Sequence, residues 1–204
     1  MFARTSHPEG GDQTTAAELL PRSRPGRVVD EIFRFGRKGF ARIAEFAPTR
    51  LNVSWVTDEL AVGGAIHTRD IARLRRMGIT AIADCREEAA DDEVVLAKHG
   101  IAYLRIPTPD ACELAQPDLR IGVVWVNERL AQGEKVYVHC KHGVGRAPLL
   151  ASCLLVAQGA SAEEALHRVK SHRWQASPNE EQVAALVTFA TNHRASGPQE
   201  PRGT

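Results

Sequence analysis

The sequence predicts an α/β fold: a mainly parallel central sheet of four to five strands flanked by helices. Two observations carry that expectation. Short apolar or β-branched runs, such as Ile79–Asp84 and Lys135–His139, alternate with longer segments of helical period. The chain also has 204 residues, 43% hydrophobic and 25% charged, which suits one compact domain with a substantial core.

The elements follow in order. Residues 1–26 are rich in Gly, Pro, Ser, Thr and Arg and read as a disordered tail. Over 27–48 the apolar residues Val28, Ile32, Phe33, Phe40 and Ile43 fall at three- and four-residue steps, with Arg34, Arg37, Lys38 and Arg42 opposite, which predicts a basic amphipathic helix. The domain proper is expected over 49–194. Trp55 and Leu60–Gly63 read as short strands, and Thr68 to Met77 as a helix. Ile79–Asp84 is a buried strand, and Asp92–His99 a helix stopped by Gly100. Ile101–Ile106 is a strand that runs into the turn-rich Pro107-Thr108-Pro109-Asp110. Asp118 is expected to cap a helix that reaches Ala131 and is ended by Gly133. Lys135–His139 is a strand. Helices are then expected over Arg146–Gln158, Ser161–Arg173, opened by a Ser161/Glu164 capping box, and Asn179–Asn192. Residues 195–204 read as a second disordered tail.

Charge and cysteine usage exclude several function classes. With 26 Lys+Arg against 25 Asp+Glu, the chain lacks the basic excess of a general nucleic-acid binder. Within this balance, residues 21–50 carry a net +5, which leaves −4 for the rest. The basic segment over 28–46 has two readings: a peripheral contact with an anionic membrane surface, or a helix packed on the domain with a solvated basic face. Cys85, Cys112, Cys140 and Cys153 form no CxxC pair, so neither a disulfide scaffold nor a zinc ribbon is expected. Met1 to Ala17 lacks the apolar run of a signal peptide, and Ala147 to Ala160 is too short to span a bilayer. A cytoplasmic protein with reduced thiols is the expectation.

The chemistry concentrates in Val138-His139-Cys140-Lys141-His142-Gly143-Val144-Gly145-Arg146. A buried strand ends at a cysteine, a loop with two glycines follows, and a helix opens at an arginine. Ligands in open α/β sheets bind beyond the carboxyl ends of the strands, where this loop falls. Gly143 and Gly145 permit positive φ and close backbone approach, so the N–H groups from Lys141 to Arg146 can converge on an anion beside a helix N-terminus. A thiol in that field ionises more readily. Arg146 supplies a planar fork for two phosphate oxygens. His139, Cys140 and His142 match no common zinc spacing, so neither a metal nor any other cofactor is expected.

These residues resemble the cysteine-dependent protein-tyrosine phosphatases, in their dual-specificity branch. That family's signature, H-C-x-x-G-x-x-R followed by Ser or Thr, reads here His139 to Arg146 followed by Ala147. The resemblance extends from about Asn52 to His193, although only the loop is highly specific. It implies a phosphocysteine intermediate on Cys140, with Arg146 and the amides of Lys141, His142, Gly143, Val144 and Gly145 holding phosphate. It also implies a general acid on the loop after the preceding strand; Asp110 fits, and Asp118 is better explained as a cap. His139 is implied to fix the loop and support the thiolate, and Asn179, in Ser177-Pro178-Asn179, to brace the loop from behind. Ala147 departs from the pattern, which implies slower breakdown of the phosphocysteine.

Cys85 follows the strand Ile79–Asp84 at the same sheet edge. It is either a redox partner that forms a reversible disulfide with Cys140 or a small buried strand-end residue. Cys153 and Cys112 are expected to be bystanders. The substrate is a phosphorylated protein, carrying phosphotyrosine with or without phosphoserine and phosphothreonine, or alternatively a phospholipid, favoured by Lys141 and the basic helix. A third reading, resting on Ala147 alone, is a phospho-binding module with little turnover.

Overall fold

A computed structural model describes residues 51–195. The expected tail over 1–26, the basic helix over 27–48 with its membrane contact, and residues 196–204 lie outside the described residues.

Among the described residues, five strands form one sheet in the order β1-β2-β5-β3-β4: β1 is Val53–Trp55, β2 Leu60–Gly63, β3 Ile79–Arg86, β4 Ala102–Thr108 and β5 Lys135–His139. β2, β5, β3 and β4 are mutually parallel, and only β1 runs antiparallel, on β2. Alternation along the strands separates two cores. Val136, Val138, Ala83 and Cys85 face the helices α3 (Gln116–Ala131), α4 (Arg146–Ala157), α5 (Ala162–His172) and α6 (Glu180–Ala195). Tyr137, Ile82 and Ala61 face Ile71 and Leu74 of α1 (Ile71–Arg76) and Leu96 of α2 (Glu93–Lys98). α4 is apolar on nearly every side because it is wrapped by the sheet and by α3, α5 and α6.

Local chemistry fixes most boundaries. Asp92 caps α2 by accepting from the Val95 N–H at 3.0 Å, and the Ser161/Glu164 capping box opens α5. Five boundaries differ from expectation. The segment 68–77 divides into one turn of 3-10 helix over Thr68–Asp70 and the shorter α1. β3 runs on to Arg86, so Cys85 lies inside the strand, not after it. β4 continues through Pro107, which an edge strand tolerates because one side needs no ladder donor. Asp118 does not cap α3: Ala115 occupies that position, and Pro117 and Asp118 both sit in the first turn, where the Asp118 charge favours the helix dipole. α6 also runs three residues beyond Asn192, to Ala195, which removes that residue from the expected tail.

Four parallel strands end at one edge, where Gly63, His139 and Asp84 stand in register. The loops after β2, β3, β4 and β5 therefore gather there.

Candidate active site

Cys140 opens the loop between β5 and α4 and is buried, 3% exposed, in the α3–α6 core. Its sulfur accepts from the Gly143 N–H at 3.2 Å. Gly143 has φ +67°, and an added Cβ would overlap the Gly63 carbonyl. Gly145 serves differently from expectation. Its φ is −121°, so no positive angle is needed; the absent side chain makes room for the Gln182 amide.

The direction of the loop amides is set from outside. Ala65 N–H donates to the Lys141 carbonyl at 3.0 Å, and Ser177 N–H to the Val144 carbonyl at 2.8 Å. Between them, Arg173 Nη2 donates to the His142 carbonyl at 2.9 Å and Nε to the Gly143 carbonyl at 2.6 Å. In a planar trans peptide the N–H points opposite its carbonyl. Pinning four consecutive carbonyls thus turns the N–H groups of residues 142–145 to the opposite side, where that of Gly143 meets the sulfur. This is a preformed anion cradle.

Arg146 lies along the same wall, 1% exposed. Glu88 grips it with both carboxylate oxygens, each at 2.8 Å from a different terminal nitrogen. The Thr108 carbonyl accepts from Nη1 at 2.6 Å, and Asp110 Oδ1 from Nη2 at 2.9 Å. Asp110 is itself exposed, so this carboxylate can swing between the arginine and a ligand. Arg146 holds the Glu88 carboxyl down at about 2. A depressed carboxyl stabilises the fold above its ordinary value of 4.5 and loses that contribution as pH falls towards 2. Relative to Glu88→Gln, the wild type should therefore hold a constant advantage in urea midpoint above about pH 5 that shrinks below pH 4.5. An undiminished gap at pH 2.5 would contradict this.

His139 turns away from the cradle. Its Nε2 lies 2.8 Å from Asp91 Oδ2, and its ring stacks on Tyr137 at 5.4 Å in the α1–α2 core. Asp84, Asp91 and His139 bring ligand-type atoms within 4.8 Å of one another. The cation on that cluster is Arg86, whose Nη2 meets Asp84 at 2.8 Å and Asp91 at 2.5 Å. Burial pushes Asp91 upward, but the His139 and Arg86 contacts outweigh it and hold the group below its ordinary value. Tyr103 closes the network by donating to Asp84 at 3.0 Å.

Of the residues expected at the site, Cys140, the 141–145 loop, Arg146 and Asp110 come together. Cys85 lies in the same core as Cys140 and its carbonyl faces Arg146, while burial raises its thiol. Asn179 braces a different loop from the one expected. Its Nδ2 donates to the Ala111 carbonyl at 2.7 Å, and Gln182 donates to Cys112, so Asn179 holds the Asp110 loop, while Ser177 of the same segment holds the cysteine loop. Asp110 thus follows β4 on a loop tied down just beyond it. Sequence reasoning missed Glu88 and Arg173. Glu88 had a signal, since Glu87-Glu88 closely follow the strand and Cys85 at this sheet edge. Arg173 had none, because nothing local separates it from the other 25 basic residues.

The model of the dual specificity phosphatase catalytic domain matches residues 61–192. The chain is 28% identical over 129 residues to mouse dual specificity protein phosphatase 22, covering 62% of this chain and 67% of that protein. It is 28% identical over 129 residues to mouse protein tyrosine phosphatase type IVA 3, covering 61% and 72%. Among solved structures, Tk-PTP in its active form superposes with a TM-score of 0.65 at 25% identity, over 69% of this chain and 97% of that one. PTPMT1 superposes with a TM-score of 0.68 at 22% identity, over 72% and 99%, a likeness of fold alone.

Proposed function

The chain belongs to the dual specificity phosphatase family and is a cysteine-dependent phosphatase, and from that premise we propose that it hydrolyses phosphotyrosine, together with phosphoserine and phosphothreonine, in proteins through a phosphocysteine on Cys140. The observation that carries the reading is the Cys140 sulfur beneath inward-turned amides, with the Arg146 fork on the same wall. The thiolate attacks phosphorus, the S–P bond forms, and the ester O–P bond breaks. Phosphate oxygens take the place of Asp110 on Arg146, and the released Asp110 carboxylate takes up a proton from solvent, which it then gives to the leaving oxygen. Water then attacks phosphorus, Asp110 accepts its proton, and the S–P bond breaks to return the thiolate and inorganic phosphate.

Asp110→Asn should lower turnover of an alkyl phosphate by about 10²–10³-fold and of p-nitrophenyl phosphate much less, because only the poor leaving group needs the proton. Equal rates for wild type and variant on the alkyl ester would remove Asp110 from this role. Ala147 is the second residue of α4, directly after Arg146, and offers no hydroxyl to the departing sulfur. Stopped-flow hydrolysis should show a burst of leaving group followed by slow turnover, and Ala147→Ser should speed the slow phase about five-fold, the worth of one hydrogen bond. Linear release without a burst would count against slow dephosphorylation.

A second reading, a phosphoinositide or related lipid phosphate, is favoured by Lys141, which is exposed on the loop. PTPMT1 has been solved in complex with PI(5)P. Turnover on a phosphopeptide panel against a phosphoinositide panel separates the two. Liposome binding that is lost on removing residues 1–47 would support the lipid reading. Under peroxide, Cys140 would be oxidised to a sulfenic acid, and attack by Cys85 would release water and leave a disulfide. A Cys85–Cys140 linked peptide in mass spectrometry is the check.

A further inference from the structure

Three buried arginines crowd the carboxyl edge of the sheet, and they are not equivalent. Arg86 faces Asp84 and Asp91; Arg146 faces Glu88 and Asp110. Arg173 forms no salt bridge among the described residues. Its acceptors are all neutral: Asn52 Oδ1 at 3.1 Å, Ser54 Oγ at 3.2 Å, and the carbonyls of Val62, His142 and Gly143. It is 0% exposed. A cation so placed, with its charge unbalanced, needs an anion within reach.

We infer that Arg173 is the counter-cation of the Cys140 thiolate, a positioning residue that acts through the Gly143 peptide. Its Nε holds the Gly143 carbonyl and its Nη2 the carbonyl of the peptide whose N–H meets the Cys140 sulfur at 3.2 Å. The guanidinium both aims and polarises that donor. It lies so close beneath Gly143 that an added Cβ would meet Nη2 at 2.6 Å. Burial disfavours the charged form of Arg173, and proximity to Tyr137 and to Cys140 works in the opposite direction.

The other groups around the sulfur do not replace this charge. Arg146 on α4 also interacts with Cys140, but two carboxylates, Glu88 and Asp110, already offset its charge. Cys85 on β3 and Tyr137 on β5 are kept protonated by burial. His139 engages Asp91 on the far face of the sheet, with Asp84 3.9 Å from its other nitrogen and Arg86 on both carboxylates. Lys141 is exposed, and Ala147 has no hydroxyl to donate. Arg173 is therefore the buried cation whose charge the thiolate can balance.

This inference rests on Cys140 being the nucleophile, and its test reads the thiol and not turnover. The rate of Cys140 alkylation by iodoacetamide is followed against pH by mass spectrometry for wild type, Arg173→Gln and Arg173→Lys. The Gln variant should shift the midpoint up by about one pH unit, a roughly tenfold slower alkylation below it. The Lys variant keeps the charge and loses the fork, so its midpoint should stay within about 0.3 unit while kcat falls. An unmoved midpoint in the Gln variant overturns the proposal. So does a full-unit rise in the Lys variant, which decides the matter alone if the Gln variant lacks a cooperative melt. Failure of the phosphatase reading itself appears elsewhere, as turnover surviving Cys140→Ser.

Discussion

Cys140→Ser should abolish turnover of p-nitrophenyl phosphate, by at least about 10⁴-fold, while leaving the cradle able to bind. A serine hydroxyl does not ionise near neutral pH, so the attack on phosphorus is lost at its first step. The fold should tolerate the change, because the four carbonyl contacts that orient the loop come from Ala65, Arg173 and Ser177, none of which touches the sulfur. Orthovanadate or inorganic phosphate should still raise the melting temperature of the variant. Residual activity above a hundredth of wild type would mean that another group performs the attack.

Arg146→Lys should cost about 10³-fold in kcat/KM, the second largest effect. Lysine keeps the charge but presents one point in place of two parallel donors. It also cannot serve the Glu88 pair, the Thr108 carbonyl and Asp110 at once, so the loops after β3 and β4 lose their common anchor. The loss should appear in both KM and kcat, because phosphate binding and placement of the proton donor fail together. A variant with unchanged KM for p-nitrophenyl phosphate would show that the cradle amides alone bind the phosphoryl group.

The parallel sheet and the nucleophile loop were legible because their determinants are local. Ile79–Asp84 and Lys135–His139 are apolar runs bounded by turn residues, and the Cys140–Arg146 loop carries both its glycines and its charge in consecutive positions. What could not be read was the set of long-range partners. Whether Asn179 braces the cysteine loop or the Asp110 loop depends on where α6 packs, and sequence spacing does not encode that. Asp118 looked like a cap because an acidic residue near a helix start is the usual signal, but Pro117 already fits the first turn, and the cap lies three residues earlier, at Ala115. Arg173 and Asp91 were hidden for the same reason: their roles exist only once distant strands and loops meet.

The outward pinning of the loop carbonyls also has a kinetic side. The Arg173 side chain that orients the Gly143 peptide is itself held by Asn52, 121 residues earlier in the chain. Contacts of such sequence separation form late in folding, after the ordering cost of the intervening chain has been met. Strands β2, β5, β3 and β4 can pair, and the thiol can be buried, before the amides of residues 142–145 acquire their final direction. Refolding should therefore restore native β-sheet content earlier than it restores phosphate binding, and a ribosome-bound chain still short of residue 173 would carry its cysteine without an organised cradle.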